Sequence, residues 1–471
     1  MSPTRSIPEI CLAVTETTSL RPSHTPAVTV VVPIHNAVEA VTACLQSLAR
    51  HALPARRILL LDDASTDPAI PRLLDAYRHR APFACERNLR NLGYTRTVNR
   101  GIALAGEDDV VLLNSDTQVT PGWLGRLRYA AYQQPWVGSV TPVSNNAGVF
   151  SVPRPGSNAI PEAFGLARFA RAIAQAAAHA YPPVPTGNGF CLYLRRACLD
   201  AAGWFDEQAF PRGYGEENDW CMRARALGWT HLIDDATYIA HLRSASFQGE
   251  KPALITAGLQ VVKARYPQYD AAVHQAFSAP ALEQVRQRVQ ALSEMPAHRV
   301  KPRLLFSTSA AEAASPGFRQ RLSQAETHGW ACWVLSDDGA HQAEPSRLAL
   351  CCLDEGRLTP VAHHTPRHPD DTLPVLTAWL ATHAIERVCV ESTGGYDQAL
   401  TAVAEWLGIP CQDSAEAVMA AADSGAGSQQ HKPPAMVATQ ERFTEKTPAA
   451  AMGLLAASGW FDADWYLAQY P

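Results

Sequence analysis

Three short apolar runs end in the same way, and that ending constrains the fold more than anything else in the chain. VTVVVPI (28–34) runs into His-Asn, RRILLLDDAS (56–65) into two acids, and DDVVLLNSD (108–116) into Asn-Ser-Asp. Continuous β-branched and aliphatic runs of this length are the mark of strands buried on both faces. Helical patterns lie between them: AVEAVTACLQSLARHA, PAIPRLLDAYRHR and TRTVNRGIALA. Strands alternating with helices predict a parallel sheet covered on both sides. In such sheets ligands bind beyond the carboxyl ends of the strands. Asp62, Asp63 and Asp116 would therefore face a crevice.

The segments at these ends each have a plain structural reading beside a chemical one. LLLDDASTD (59–67) reads as a capped turn, or as a carboxylate accepting from a base or sugar. NLGYTRTVNRG (91–101) has Gly93 at a helix start, where backbone N–H groups attract phosphate. In VVLLNSDTQVTPGWL (110–124), Asn114, Ser115 and Asp116 emerge from a buried strand. A hard cation bridging diphosphate oxygens needs only one or two protein carboxylates there. His241 follows a later strand and closes this region.

GYGEENDWCMR (213–223) crowds Glu216, Glu217 and Asp219 into four positions. Like charges so close need a metal, a cation or a proton to relieve them. At 100° per residue, a helix starting near Glu216 gathers Glu216, Asp219, Trp220 and Arg223 on one arc. Asp219 and Arg223 are then i, i+4 partners, and Glu217 stands apart from them.

The length of 471 residues predicts about three domains. Hydrophobic residues at 47% supply a core, and a net charge of -5 with no basic run argues against nucleic acid as partner. The eleven cysteines are scattered without a CxxC pair, as expected of small buried hydrophobes in a reducing compartment. The N-terminus lacks the continuous apolar stretch of a signal peptide, and no run is long enough to span a membrane. The expected location is the cytoplasm, including the inner face of the membrane.

The expected organisation is a flexible leader (1–26), an α/β domain (27–250), a helical arm (251–298) and a smaller α/β domain (299–414). A linker (415–450) and the start of an aromatic-rich module (451–471) follow. The smaller domain has no GxGxxG, so dinucleotide binding has little support.

Taken in order, VTVVVPIHN, LLLDDASTD, NLGYTRTVNRG, LLNSDTQVTPGWL, TGNGFCLYLRRACLDAAGWFDE and GYGEENDWCMRARALGW with a downstream His resemble the family-2 glycosyltransferases. These are inverting enzymes with the GT-A fold, and the resemblance covers about residues 27–247. It implies that Pro33, Asn36, Asp62, Asp63, Asn91, Gly93, Asn99, Asn114 and Ser115 bind a nucleotide-diphosphate sugar. Asp116, assisted by His241, would hold Mn²⁺ or Mg²⁺. Asn188 and Gly189 of TGNGF, with Glu216 and Trp220, would face the acceptor: a glycan, a lipid-linked glycan or a protein. Glu217 stands where the family has its base, although there it is an Asp, one methylene shorter. Residues 301–411 loosely resemble one half of a GT-B glycosyltransferase, and the C-terminal GWFDADWYLAQYP resembles a short repeat appended to some bacterial members.

Two rivals come from other classes. A nucleotidyltransferase is expected to carry a Gly-rich basic loop after its first strand, and VVPIHNAVEA has neither Gly nor Lys. A non-catalytic sugar- or protein-binding module of the same fold draws its support from Asn114 and Glu217.

Overall fold

The computed structural model describes residues 25–242, 251–337, 347–366, 371–391 and 396–419. In chain order the first part comprises β1 (Val28–Ile34), α1 (Val38–Arg50), β2 (Arg57–Asp62), α2 (Ala69–Asp75), β3 (Phe83–Arg87), α3 (Tyr94–Ala105) and β4 (Asp109–Leu113). It continues with β5 (Thr117–Gln118), α4 (Trp123–Ala131), β6 (Val137–Ser144), α5 (Gly165–Ala176), β7 (Pro183–Val184) and β8 (Cys191–Leu194). It ends with α6 (Arg196–Ala202), α7 (Glu216–Ala226) and β9 (Thr230–His241).

The strands form one mixed sheet in the order β3-β2-β1-β4-β8-β6-β9-β5, with β7 beside β9. β1 to β4 pair in parallel, and β8 turns antiparallel to β4 and β6. Side chains alternate across a strand, so β1 feeds two cores. Val28, Val30 and Val32 join the cluster with α1, α4 and α5, whereas Val31 joins Val98, Ile102 and Trp220 on the opposite face. That double burial is why the run is apolar throughout. The α/β class with mixed acceptor-side strands and the GT-A arrangement are as expected.

Three helices follow, α8 (Lys251–Arg265), α9 (Tyr269–Phe277) and α10 (Pro280–Ser293). Leu282, Val285, Val289 and Leu292 of α10 pack into the β1 core. The remaining elements are β10 (Arg303–Ser309), α11 (Ala310–Ala313), α12 (Pro316–Thr327), β11 (Ala331–Asp337), β12 (Leu348–Asp354), β13 (Arg357–His364), α13 (Thr372–Thr382), β14 (Arg387–Val390), α14 (Asp397–Leu407) and β15 (Cys411–Gln412). They form a second sheet, β13-β12-β11-β10-β14-β15, of which β12 and β13 are antiparallel. Its core reaches the first part through α4. Tyr129 packs with Trp406 and Leu407, and Arg171 makes a two-point ion pair with Glu386 at 2.5 and 3.0 Å.

Several elements differ from the sequence reading. β3, α4, β6 and β13 lie in stretches read as neither strand nor helix. The linker expected from residue 415 begins with helix: residues 415–419 are helical, with Ala415 and Val418 buried. Most of the expected leader, the rest of the linker and the aromatic-rich segment lie outside the described residues. Cys44, Cys191, Cys198, Cys221, Cys332 and Cys389 are buried free thiols. Among the described residues no helix is long and apolar enough to cross a membrane.

Candidate active site

A cleft of about 400 Å³ opens at the carboxyl ends of β1, β2 and β4, closed on the far side by the start of α7 and by α8. Asp63 organises one wall. Its backbone N–H donates to Ile34 O at 2.8 Å. Its carboxylate accepts from Asn88 Nδ2 and the Leu92 amide at 2.8 Å and from the Gly93 amide at 3.0 Å. One strand-end acid thus pins the 88–93 loop along the cleft, with Gly93 at φ 83° leading into α3.

Pro33, Asp63, Asn91, Gly93, Asn114 and Ser115 all line this cleft, as do Asp116, His241, Asn188, Gly189, Glu216 and Glu217. Four expected residues do not. Asn36 accepts from the Thr66 and Asp67 amides at 2.9 and 3.0 Å, holding a turn. Asp62 accepts from the Ser65 amide at 2.8 Å and pairs with Arg87. Asn99 is buried and clasps the Phe205 backbone, accepting from its N–H at 3.2 Å and donating to its carbonyl at 2.9 Å. Trp220 is fully buried with its indole N–H on Gly203 O at 2.8 Å, so it is core rather than acceptor surface.

At the end of β4, Thr117 pairs with His241 of β9, which sets Asp116 beside the imidazole. His241 Nε2 lies 3.2 Å from Asp116 Oδ1. Its Nδ1 lies 2.8 Å from Asn146 O, and a carbonyl only accepts, so Nδ1 carries the hydrogen. Phe190 stacks on the ring at 5.4 Å and 18°. With the tautomer set this way, Nε2 turns a lone pair toward a carboxylate oxygen. Two acceptors at that distance need a proton or a cation between them. Among the described residues no group of three or more His, Cys, Asp or Glu gathers for a metal. The pair fits a cation that takes its other ligands from diphosphate and water.

The opposite wall is the first turn of α7. Glu216 and Glu217 are buried, at 4% and 6% exposure, and each has an Oε2 with no partner. Burial and the charge of Glu217 push the Glu216 carboxyl well above its ordinary range. Burial raises Glu217 too, but amide hydrogens of Glu217, Gly215 and Gly189 and the Glu216 side chain favour its charged form. Asp219 faces away, ion-paired to Arg223 at 2.9 Å and Arg265 at 2.7 Å.

Sequence reasoning missed Tyr94, Asn146, Arg212, Tyr214 and the apolar Leu254, Ile255 and Leu259 of α8, all of which line the cleft. Tyr94 directly follows the Gly93 that had been singled out, and its phenol lies 3.5 Å from Gly189 O.

A parallel-rich sheet, with carboxylates gathered past its strand ends and mixed strands beyond, has the GT-A arrangement. Residues 29–196 match the family model described as Glycosyl transferase family 2, so that stretch is a family-2 glycosyltransferase domain. An N-acetylglucosaminyl-diphospho-decaprenol L-rhamnosyltransferase of Mycobacterium tuberculosis is 29% identical over 219 residues, 42% of this chain and 69% of that protein. Among solved structures, GalNAc-T7 with UDP, GalNAc and Mn²⁺ aligns with a TM-score of 0.39 at 14% identity, over 59% of each chain. The chain thus spans under two thirds of that enzyme. The mannosyltransferase PcManGT from Pyrobaculum calidifontis, in complex with GDP-Man and Mn²⁺, gives 0.39 at 18% identity, over 65% of this chain and 81% of that one.

Proposed function

We propose that the first domain catalyses inverting transfer of a sugar from a nucleotide-diphosphate sugar to a hydroxyl acceptor. The observation that carries this reading is a buried carboxylate, Glu217, facing the same cleft as the Asp116–His241 pair. Glu217 takes the acceptor's hydroxyl proton as that oxygen bonds to the anomeric carbon. The bond from the anomeric carbon to the diphosphate breaks, and its electron pair leaves on the phosphate oxygen. Asp116 and His241 would hold Mn²⁺ or Mg²⁺, which would supply charge stabilisation for the departing diphosphate. Asp63, Asn91 and Gly93 flank the nucleotide.

The Mycobacterium relative's name specifies a sugar on a lipid diphosphate as its acceptor, so we place a lipid-linked glycan first among acceptors, ahead of a free glycan or a protein. The proposed location is the cytoplasm, at the inner face of the membrane. A GT-B enzyme needs two Rossmann-like halves, and residues 299–414 make one, so that unit reads as an accessory or interaction domain.

The test is hydrolysis and thermal protection across UDP-, GDP- and dTDP-linked sugars with Mn²⁺. Turnover is expected with one donor class, and Glu217→Gln is expected to retain donor binding while losing about 10²–10⁴-fold in turnover. Nucleotide binding without turnover on any donor would instead favour a binding module of the same fold.

A further inference from the structure

Glu216 and Glu217 are neighbours on one helical turn, both buried and both on the cleft wall. Two ionised carboxylates cannot share so enclosed a place. Each has an Oε2 that is shut off from solvent and has no hydrogen-bond partner, a place where a shared proton would supply the missing bond. The backbone treats them differently. Both take the amide of Gly215, but Glu217 alone also takes that of Gly189, whose added Cβ would sit 3.8 Å from its Oε1, whereas Glu216 lies against Gly213, whose added Cβ would sit 3.6 Å from Oε2.

We propose that Glu216 and Glu217 form a carboxylic acid–carboxylate pair holding one proton between them, with Glu216 the donor that positions Glu217. This rests on the reading of Glu217 as base. It gives the first acid of the trio a role: a protonated Glu216 gives Glu217 one fixed hydrogen bond, keeps it charged and leaves its free oxygen toward the acceptor. The groups facing the pair are Tyr94 from α3, Arg212 and Tyr214 from the loop before α7, Cys221 one turn along α7, Tyr269 from α9 and Asp116 across the cleft. Burial raises Tyr94, Cys221 and Tyr269, so none of these three is the first to give up a proton. During transfer Glu217 gains the acceptor's proton, the pair then holds two, and one passes to solvent before the next cycle.

Infrared difference spectroscopy at pH 7 reads the shared proton directly. Wild type minus Glu216→Gln should show one protonated-carboxyl band lost; buried Asp109 and Asp234 cancel in the difference. An unchanged band overturns the pairing. In donor hydrolysis, Glu216→Gln still donates through its amide, so kcat stays within an order of magnitude and the alkaline fall of the pH profile disappears. Glu216→Met removes the donor and should shift the acid limb to higher pH. A Glu216→Gln loss equal to that of Glu217→Gln would make Glu216 itself the proton acceptor. Limbs unmoved in both variants would also defeat the proposal. The infrared arm needs no turnover, so failure of every donor overturns the transferase reading alone.

Discussion

Arg265 of α8 places Nη1 2.7 Å from Oδ1 of Asp219, a fully buried carboxylate on the first turn of α7. Arg223 takes the other oxygen at 2.9 Å, and Tyr266 donates its hydroxyl to Oδ1 at 3.1 Å. One acid thereby fastens the helix bearing Glu216 and Glu217 to the helix that closes the cleft. Arg265 also holds Asp206 at 2.9 Å, so the loop before α7 is drawn into the same knot. Both arginines are part-exposed, so water takes them up if the acid loses its charge. Asp219→Asn is expected to cost about 2 kcal/mol, seen as a lower urea midpoint at constant slope. Nucleotide affinity at 25 °C should change little; a collapse of affinity without a stability loss would place Asp219 in the binding machinery instead.

The contact between Asp116 and His241 makes a separate prediction. Calorimetry with UDP, GDP and dTDP in turn should show Mn²⁺-dependent binding that Asp116→Ala abolishes. Asn145 accepts from the His241 backbone amide at 2.8 Å and so holds the strand end that carries the imidazole, while Asn146 O orients the ring itself. Asn145→Ala should weaken Mn²⁺ binding less than Asp116→Ala does, read in the same calorimetry. Undiminished Mn²⁺ affinity in Asp116→Ala sinks the metal assignment.

How far these relationships were legible in the sequence depends on where the partner lies. Asp219 and Arg223 are four residues apart, and helical periodicity alone paired them. Arg265 lies 46 positions further on, and no local pattern points to it. Trp220 was placed at the acceptor by resemblance alone, and that carry-over needs a helix with one wet face. In α7, Glu216 to Met222 are all buried, so sharing an arc with Glu216 did not bring Trp220 to the cleft. The reading of Asn99 failed for a related reason. It sits on the second turn of α3, and its amide completes the Phe205 backbone rather than reaching a ligand. β3 escaped notice because only Phe83 of its five residues is buried, and β13 because it is a half-exposed hairpin strand following the Glu355–Gly356 turn. The strands that carry the site were plain, because burial on both faces leaves no ambiguity of period.

His231 lies beneath α7, buried and hydrogen-bonded on both nitrogens. Its Nε2–H donates to Cys221 O at 2.9 Å, and its Nδ1 accepts from the Ser139 hydroxyl at 2.7 Å. Burial lowers its pKa from 6.5 to about 4. The unfolded chain binds a proton near pH 6.5 that the folded protein refuses until about 4, so this residue's stability is intact above 6.5 and falls as pH drops toward 4. His231→Gln keeps a donor for Cys221 and removes the titration. The wild-type advantage over the variant should shrink by about 2 kcal/mol between pH 7 and pH 5, read from urea unfolding at each pH. Parallel pH dependences for the two proteins would mean that His231 accepts its proton in the folded state.

Gly125, in the first turn of α4, offers a test of how the second sheet is docked. In an ordinary helix, Gly to Ala stabilises by about 0.5–1 kcal/mol. Here an added Cβ would collide with the carbonyl oxygen of Leu407 at the end of α14 and lie 2.7 Å from its carbonyl carbon. Nearby, Arg128 reaches Trp406 O at 3.2 Å and stacks on its indole at 4.5 Å, so the neighbouring backbone is held and cannot easily recede. The sign should therefore reverse, with Gly125→Ala losing about 1–3 kcal/mol as overpacking. Because Trp123, Leu124 and Leu127 of α4 pack in the core on one face of the sheet and Trp220 and Cys221 of α7 in the core on the other, nucleotide affinity should survive below the unfolding midpoint. A neutral or stabilising Gly125→Ala would show that α14 does not rest on α4 in solution.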